Sequence, residues 1–260
     1  MPTNPKRDLS EEALRCLHAV AGALHYDDDL AAGRYFTATW KTLQGEERLR
    51  LRDMINEELL AGKEKEISAH GIRRSFRFWS RDEKAGLIRF AKEVIDALDE
   101  AMGLKAVIGY GTALAVARSN DLIPHDDDVD LICVVPVEKY RTFKAAIDAI
   151  SETFAGRSDL KTYGNFVGHL KFGRSPLSLD VFIAIQEGGF VSSIPGPRKT
   201  ISIKDILPAR TIELFGVEIA APRDQEAYLS KVYGKNWRTP DPIFGHNWGT
   251  DKFTDLIESR

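Results

Sequence analysis

The passage Ile123-Pro124-His125-Asp126-Asp127-Asp128-Val129-Asp130-Leu131-Ile132 sets a group of carboxylates directly before an apolar run. Side chains alternate along a strand, so Asp128 and Asp130 share one face while Val129 and Leu131 take the other. Two neighbouring carboxylates on an otherwise buried strand repel each other, and leaving them unpaired costs on the order of several kcal/mol. A divalent cation answers both problems. Hard oxygen ligands suit Mg²⁺ or Mn²⁺, and the passage offers no thiol or paired histidine for zinc. The competing reading is a solvated acidic loop. That is how Asp27-Asp28-Asp29 reads, as surface or helix cap, because no apolar strand follows it.

Other residues fit around this pair. Gly109-Tyr110-Gly111-Thr112 closes a short apolar strand, Ala106-Val107-Ile108, and leads into a short helix over 113–118. Free amides, the positive helix end and the Thr112 hydroxyl then face outward, a suitable cradle for phosphate. Arg118, further along that helix, offers a bidentate fork to the same phosphates or a surface ion pair. Asp180 is a lone charge in Leu177-Ser178-Leu179-Asp180-Val181-Phe182-Ile183. A carboxylate there needs a partner. It completes a metal site, or takes the proton of an attacking hydroxyl, or pairs with a structural Arg or Lys. His169 and Lys171 share a strand face and are candidates for substrate or phosphate contact. His125 borders the acidic run, and His246 lies in an aromatic tail within reach of an acceptor. His70 to Trp79 interleaves cations with aromatics, a pattern that reads as an amphipathic connector rather than a ligand surface.

Gly111-Thr112-Ala113-Leu114, Arg118 and Ile123-Pro124-His125-Asp126-Asp127-Asp128-Val129-Asp130 together resemble the signature of the LicD/fukutin-related phosphotransferases. Tyr228-Leu229, Tyr233-Gly234, Trp237 and Pro240 are similar to the same family's C-terminal pattern. The resemblance spans about Val107 to Pro240. It implies a nucleotidyltransferase fold and transfer of a phosphorylated alcohol, such as phosphocholine or ribitol phosphate, from a CDP-activated donor to a glycan or glycolipid hydroxyl. It also implies Asp128 and Asp130 as metal ligands, with Gly111 and Thr112 as phosphate contacts. Asp180 is the third carboxylate that this fold expects. Three positions depart from the pattern: Ala115 for glycine, His125 for tryptophan, and Asn120-Asp121 for a small turn containing glycine. Two rival activities share the site: transfer of a nucleotide itself, and binding without catalysis.

The elements that must position these groups divide near Trp79-Ser80. Residues 1–79 read as a helical extension, with Ser10 capping a stripe of Leu14, Leu17, Val20 and Leu24, and a second helix over Glu46 to Ile67. Residues 80–260 read as the catalytic unit, α/β in class (α+β), a mixed β-sheet core flanked by helices. Ser80-Arg81-Asp82-Glu83 has the form of a capping box, and Gly103 supplies the stop. Strands are expected over 129–135, 166–172 and 177–185, a hairpin around Phe215-Gly216, and helices over 138–150 and from Pro222 to Tyr233.

The balance of 36 basic against 39 acidic residues gives a net charge of -3, so no duplex nucleic-acid partner is expected. The two cysteines, Cys16 and Cys133, form no disulfide framework or zinc spacing. Met1 to Ser10 lacks an apolar leader, and no run approaches the ~20 apolar residues of a membrane helix. A cytoplasmic location is expected, compatible with peripheral membrane contact.

Overall fold

A computed structural model describes residues 9–68, 70–241 and 244–257; the polar leader Met1 to Asp8 lies outside them. The chain forms two compact units: residues 1–79 with 123–127, and residues 80–122 with 128–260.

In the first unit, Ser10 caps α1 (Glu11–His25) by accepting from the Ala13 amide, and Ala13, Cys16, Leu17, Val20 and Leu24 bury one face. The Asp27 to Asp29 run does capping work: Asp28 accepts from Ala31 at the start of α2 (Asp29–Thr42). The third helix, α3 (Gly45–Ile55), runs on through a π turn at Asn56–Leu60 and a 3₁₀ turn at Ala61–Lys63. There the helix ends, short of the expected Ile67. A hairpin follows, β1 (Glu66–Ser68) with β2 (Gly71–Arg73), so this unit is not wholly helical. Strand pairing wins because Ile67 and Ile72 lie opposite each other and enter the same core, while the Asn56 side chain accepts from the Ile67 amide. The cationic aromatic segment is part of this unit's own fold. Phe76 is buried with Trp79 against its edge, and the amides of Phe76 and Arg77 donate to the carbonyls of Asp126 and Pro124.

The second unit opens on α4 (Arg81–Met102), whose capping box joins Ser80 and Glu83 reciprocally and whose stop is Gly103 at φ 65°. Next come β3 (Lys105–Ile108), α5 (Tyr110–Ser119), β4 (Asp130–Pro136) and α6 (Phe143–Phe154). Three long strands follow, β5 (Lys161–Phe166), β6 (His169–Arg174) and β7 (Leu177–Glu187), then the short β8 (Phe190–Ser192) and β9 (Ile201–Ser202). The remainder is α7 (Ile203–Ile206), the hairpin β10 (Arg210–Leu214) and β11 (Val217–Ala221), α8 (Gln225–Tyr233) and α9 (Thr254–Ile257).

Seven strands make one mixed sheet in the order β3-β4-β7-β6-β5, with β8 on β7 and β9 on β8. Only β4 and β7 run parallel. Alternation gives this sheet two different faces. Leu131, Leu170, Phe172 and Val181 fill the back, where Phe154 of α6 meets Phe172 edge-on and Arg174 lies over Phe90 of α4. The front carries Asp130, Asp180, Lys171, His169 and Phe182.

Helix starts depart from the sequence reading where a side chain offers a cap. Thr142 caps α6 and Asp224 caps α8, so these helices begin at Phe143 and Gln225 rather than at Glu138 and Pro222. At the β10–β11 turn both Phe215 and Gly216 are left-handed, at φ 54° and 81°, as a two-residue hairpin requires.

Gly109 sits where β3 passes closest to β4: a Cβ added there would stand 2.4 Å from Ile132 Cγ1. Gly109→Ala should therefore destabilise the protein by about 1–3 kcal/mol through overpacking. A lower urea midpoint at an unchanged m-value will register it.

Candidate active site

The parallel pairing of β4 with β7 sets Asp130 directly opposite Asp180, with the Asp180 amide donating to the Val129 carbonyl at 3.0 Å. Asp128, two residues before Asp130, joins them, and one carboxylate oxygen from each of the three lies within 4.8 Å of the others. Asp128 and Asp130 are half-buried, Asp180 is 5% exposed, and Val129 and Leu131 fill the opposite face. An all-oxygen donor set of this kind is able to hold a hard divalent cation.

The glycine turn holds Asp130 from three sides. The Gly109 amide donates to the Asp130 carbonyl at 2.9 Å. The Gly111 amide donates to Asp130 Oδ2 at 3.0 Å, and the Asp130 amide donates to Thr112 Oγ1 at 2.8 Å. Gly111 and Thr112, expected to meet phosphate, both meet Asp130. Because α5 begins at Tyr110 rather than Ala113, its first turn faces the acidic strand, and the carboxylate takes the place foreseen for phosphate. Tyr110 adopts φ 35°, outside the usual range for a side-chain-bearing residue. Its amide donates to the Tyr228 hydroxyl at 3.0 Å, and its own hydroxyl lies 2.6 Å from Ser193 Oγ. Burial pushes both the Tyr110 and Tyr228 phenols up, so each stays protonated. Tyr228 thus serves the site as an anchor for the turn, a role its sequence position alone does not reveal.

Arg118, expected to meet phosphates or a surface ion pair, donates its guanidinium to the carbonyls of Trp237 and Thr239 and so fastens the C-terminal segment. Asn120, in place of a turn glycine, ends α5 in the left-handed conformation at φ 51°, and Asp121 pairs with Lys84 at 2.8 Å.

Hairpin register brings Lys171 opposite Asp180, and its Nζ lies 2.6 Å from Asp180 Oδ1. Asp180 thus converges with the other carboxylates and also has a lysine counter-charge. Burial alone would lower the Lys171 pKa, but the hydrogen bond to Asp180 and the charges of Asp180 and Asp128 outweigh it and raise it. His169 lies opposite Phe182, its ring stacked between Phe166 at 4.5 Å and Phe182 at 4.8 Å. His246 packs against Phe244, Tyr233 and Tyr110, and burial holds its pKa down to about 4. His125 is an exposed turn residue of the first unit.

That unit carries a separate group, His70, Asp126 and Asp127, with ligand atoms within 4.8 Å. Its His70 Nδ1 stands 3.1 Å from Asp127 Oδ1. Burial raises Asp127, but hydrogen bonds from His70 and Ser68 and the charges of His70 and Arg73 bring it below the usual carboxylate value. The pairing reads as a structural His–Asp hydrogen bond.

The second unit is thus a mixed α/β domain whose sheet carries the acidic group on its front face. Residues 103–224 match the family model described as LicD/FKTN/FKRP, nucleotidyltransferase domain, which bears out the resemblance in the sequence. No curated protein matches the chain in direct comparison. Among solved structures, a crystal structure of ANT(2")-Ia in complex with adenylyl-2"-tobramycin is 18% identical over 53% of this chain and 69% of that one, with a TM-score of 0.34. A solution structure of the antibiotic-resistance factor ANT(2'')-Ia is 16% identical over 54% and 66%, with a TM-score of 0.35. Among the described residues no helix is long and apolar enough to cross a membrane.

Thr112→Val keeps shape but leaves the Asp130 amide without its acceptor, and should cost about 1–3 kcal/mol in a denaturant titration. His246 is neutral in the folded chain until about pH 4, whereas the unfolded chain protonates it near its ordinary value of 6.5. Unfolding therefore takes up a proton between those values, so its contribution to stability falls as pH drops from about 6.5 to about 4. The stability difference between wild type and His246→Phe, followed across that window, should show this slope and flatten on either side.

Proposed function

We propose that the second unit is a metal-dependent phosphotransferase that moves a phosphorylated alcohol from a CDP-activated donor to a glycan hydroxyl. The observation that carries this reading is the convergence of Asp128, Asp130 and Asp180, in which a parallel strand register sets Asp130 opposite Asp180 and Asp128 joins them from the segment just before β4. The family match supports the reaction class.

The three carboxylates would hold Mg²⁺ or Mn²⁺, since they offer only oxygen ligands and stand close enough together to share one ion. When bound, such an ion neutralises charge on the donor's diphosphate as CMP leaves. Asp130 is oriented by Gly109, Gly111 and Thr112, so its carboxylate needs no rearrangement to act as a ligand. Lys171, held as a cation on the same face, offers its ammonium to the phosphate oxygens. Asp180 takes the proton of the attacking hydroxyl, and attack proceeds in line at the phosphorus that carries the alcohol. The bond from that phosphorus to the CMP oxygen breaks as the new bond to the acceptor forms.

Incubation with CDP-alcohols and a glycan acceptor, followed by mass analysis, should show CMP release and an alcohol phosphate added to the acceptor. Asp128→Asn should lower that turnover by at least about 100-fold, the scale of losing one transition-state electrostatic contact, with the thermal midpoint preserved. Full activity in the variant overturns the assignment. Pyrophosphate release from a nucleoside triphosphate would indicate nucleotidyl transfer instead. Absence of any metal-dependent turnover or stabilisation would indicate a binding module.

A further inference from the structure

The front face of the sheet carries a second feature one pleat along from the carboxylates. Asp180 and Phe182 alternate onto the same side of β7, and their partners across β6 are Lys171 and His169. The acidic row is thus followed, about 6.8 Å further on by strand geometry, by an aromatic row. Phe166 lies on His169 with only 6° between ring planes, and His169 lies on Phe182 with 27°. Trp248 flanks the same stack at an angle, tilted 53° to His169 and 40° to Phe182, with centroids 5.9 Å and 6.3 Å away. Phe182 is buried, yet Phe166 is 44% exposed and Trp248 51% exposed. Two large aromatic surfaces beside a charged site are costly to leave in water unless something covers them.

We propose that Phe166, His169 and Trp248 form the shelf on which the nucleobase of the donor stacks. The inference rests on the reading of the carboxylates as the diphosphate site and assigns the other end of the same ligand. Near-parallel rings favour a planar heterocycle as the next layer of the stack. A quaternary ammonium group is recognised by several rings set at angles around it, whereas here Phe166, His169 and Phe182 stack and Trp248 alone is tilted to them. The separation of the rows also suits a nucleotide, because a ribose links the phosphate at the acidic row to a base one row away. Phe166 and Trp248 are stacking residues here. His169 acts through them as the middle layer and is a positioning residue.

Binding of CMP, cytidine, ribose 5-phosphate and phosphocholine to the full chain, measured by calorimetry and by tryptophan fluorescence, tests the shelf. Phe166→Ala and Trp248→Ala should each weaken CMP and cytidine binding about tenfold, the scale of one base–aromatic stack, and leave ribose 5-phosphate unchanged. Trp248→Phe should recover most of the loss. Both replaced side chains are largely exposed, and an unchanged thermal midpoint shows that the fold is intact. His169→Phe should keep CMP affinity, whereas His169→Ala should weaken it, a rescue that loss of an imidazole hydrogen bond would not show. Undiminished CMP binding in both alanine variants overturns the shelf, as does a wild type that binds phosphocholine but not cytidine. The two proposals fail separately. Asp128-dependent turnover that ignores Phe166 and Trp248 removes the shelf alone. Aromatic-dependent cytidine binding without phosphoryl transfer removes the reaction alone.

Discussion

The site depends on where Asp130 is held. Its amide, carbonyl and carboxylate are each engaged by the turn that joins β3 to α5, and its strand is locked to β7 in parallel register. A carboxylate facing two others on a largely buried face is electrostatically unfavourable, and its own backbone environment keeps it there. The amide-rich first turn of α5 lowers that cost by meeting Oδ2 with an N–H and the positive end of the helix. Gly109 permits the close approach, and Tyr228 braces the turn through the Tyr110 amide. Distant parts of the chain therefore converge on the placement of one side chain.

This arrangement shows what the glycine turn meets within the chain itself. Strand, glycine and helix in succession do generate outward-pointing amides, and a phosphate is the usual ligand. Here an internal anion from the neighbouring strand reaches the amides first. Arg118 is engaged within the chain in a similar way. Its charge suggests an anion, but the carbonyls of the C-terminal segment lie within its reach and satisfy its donors.

Much of the fold was legible because its signals are local. The capping box at Ser80, the stop at Gly103, the apolar run after Asp130 and the Phe215-Gly216 hairpin all announce themselves within a few residues. Strand alternation suggested that Asp128 and Asp130 share a face; β4 begins only at Asp130, but Asp128 still converges with it, and Asp180 stands out by its isolation in an apolar strand. What was not legible depends on pairing across long separations. The strand β5, with a glycine in its middle and few β-branched residues, is a strand because β6 pairs with it. The small β1–β2 hairpin likewise interrupts a helical region because two isoleucines share a core. The pairing of Lys171 with Asp180 and the stack on His169 require the hairpin's register, which no spacing in the sequence states.

The fastening of the C-terminal segment has a consequence for how this protein can change. Arg118 grips main-chain oxygens, which every residue possesses, so the grip does not depend on which side chains that stretch displays. Substitutions around Arg238 and Thr239 can alter what the surface presents without loosening the strap. Chemical variety can accumulate there while the path of the chain stays the same.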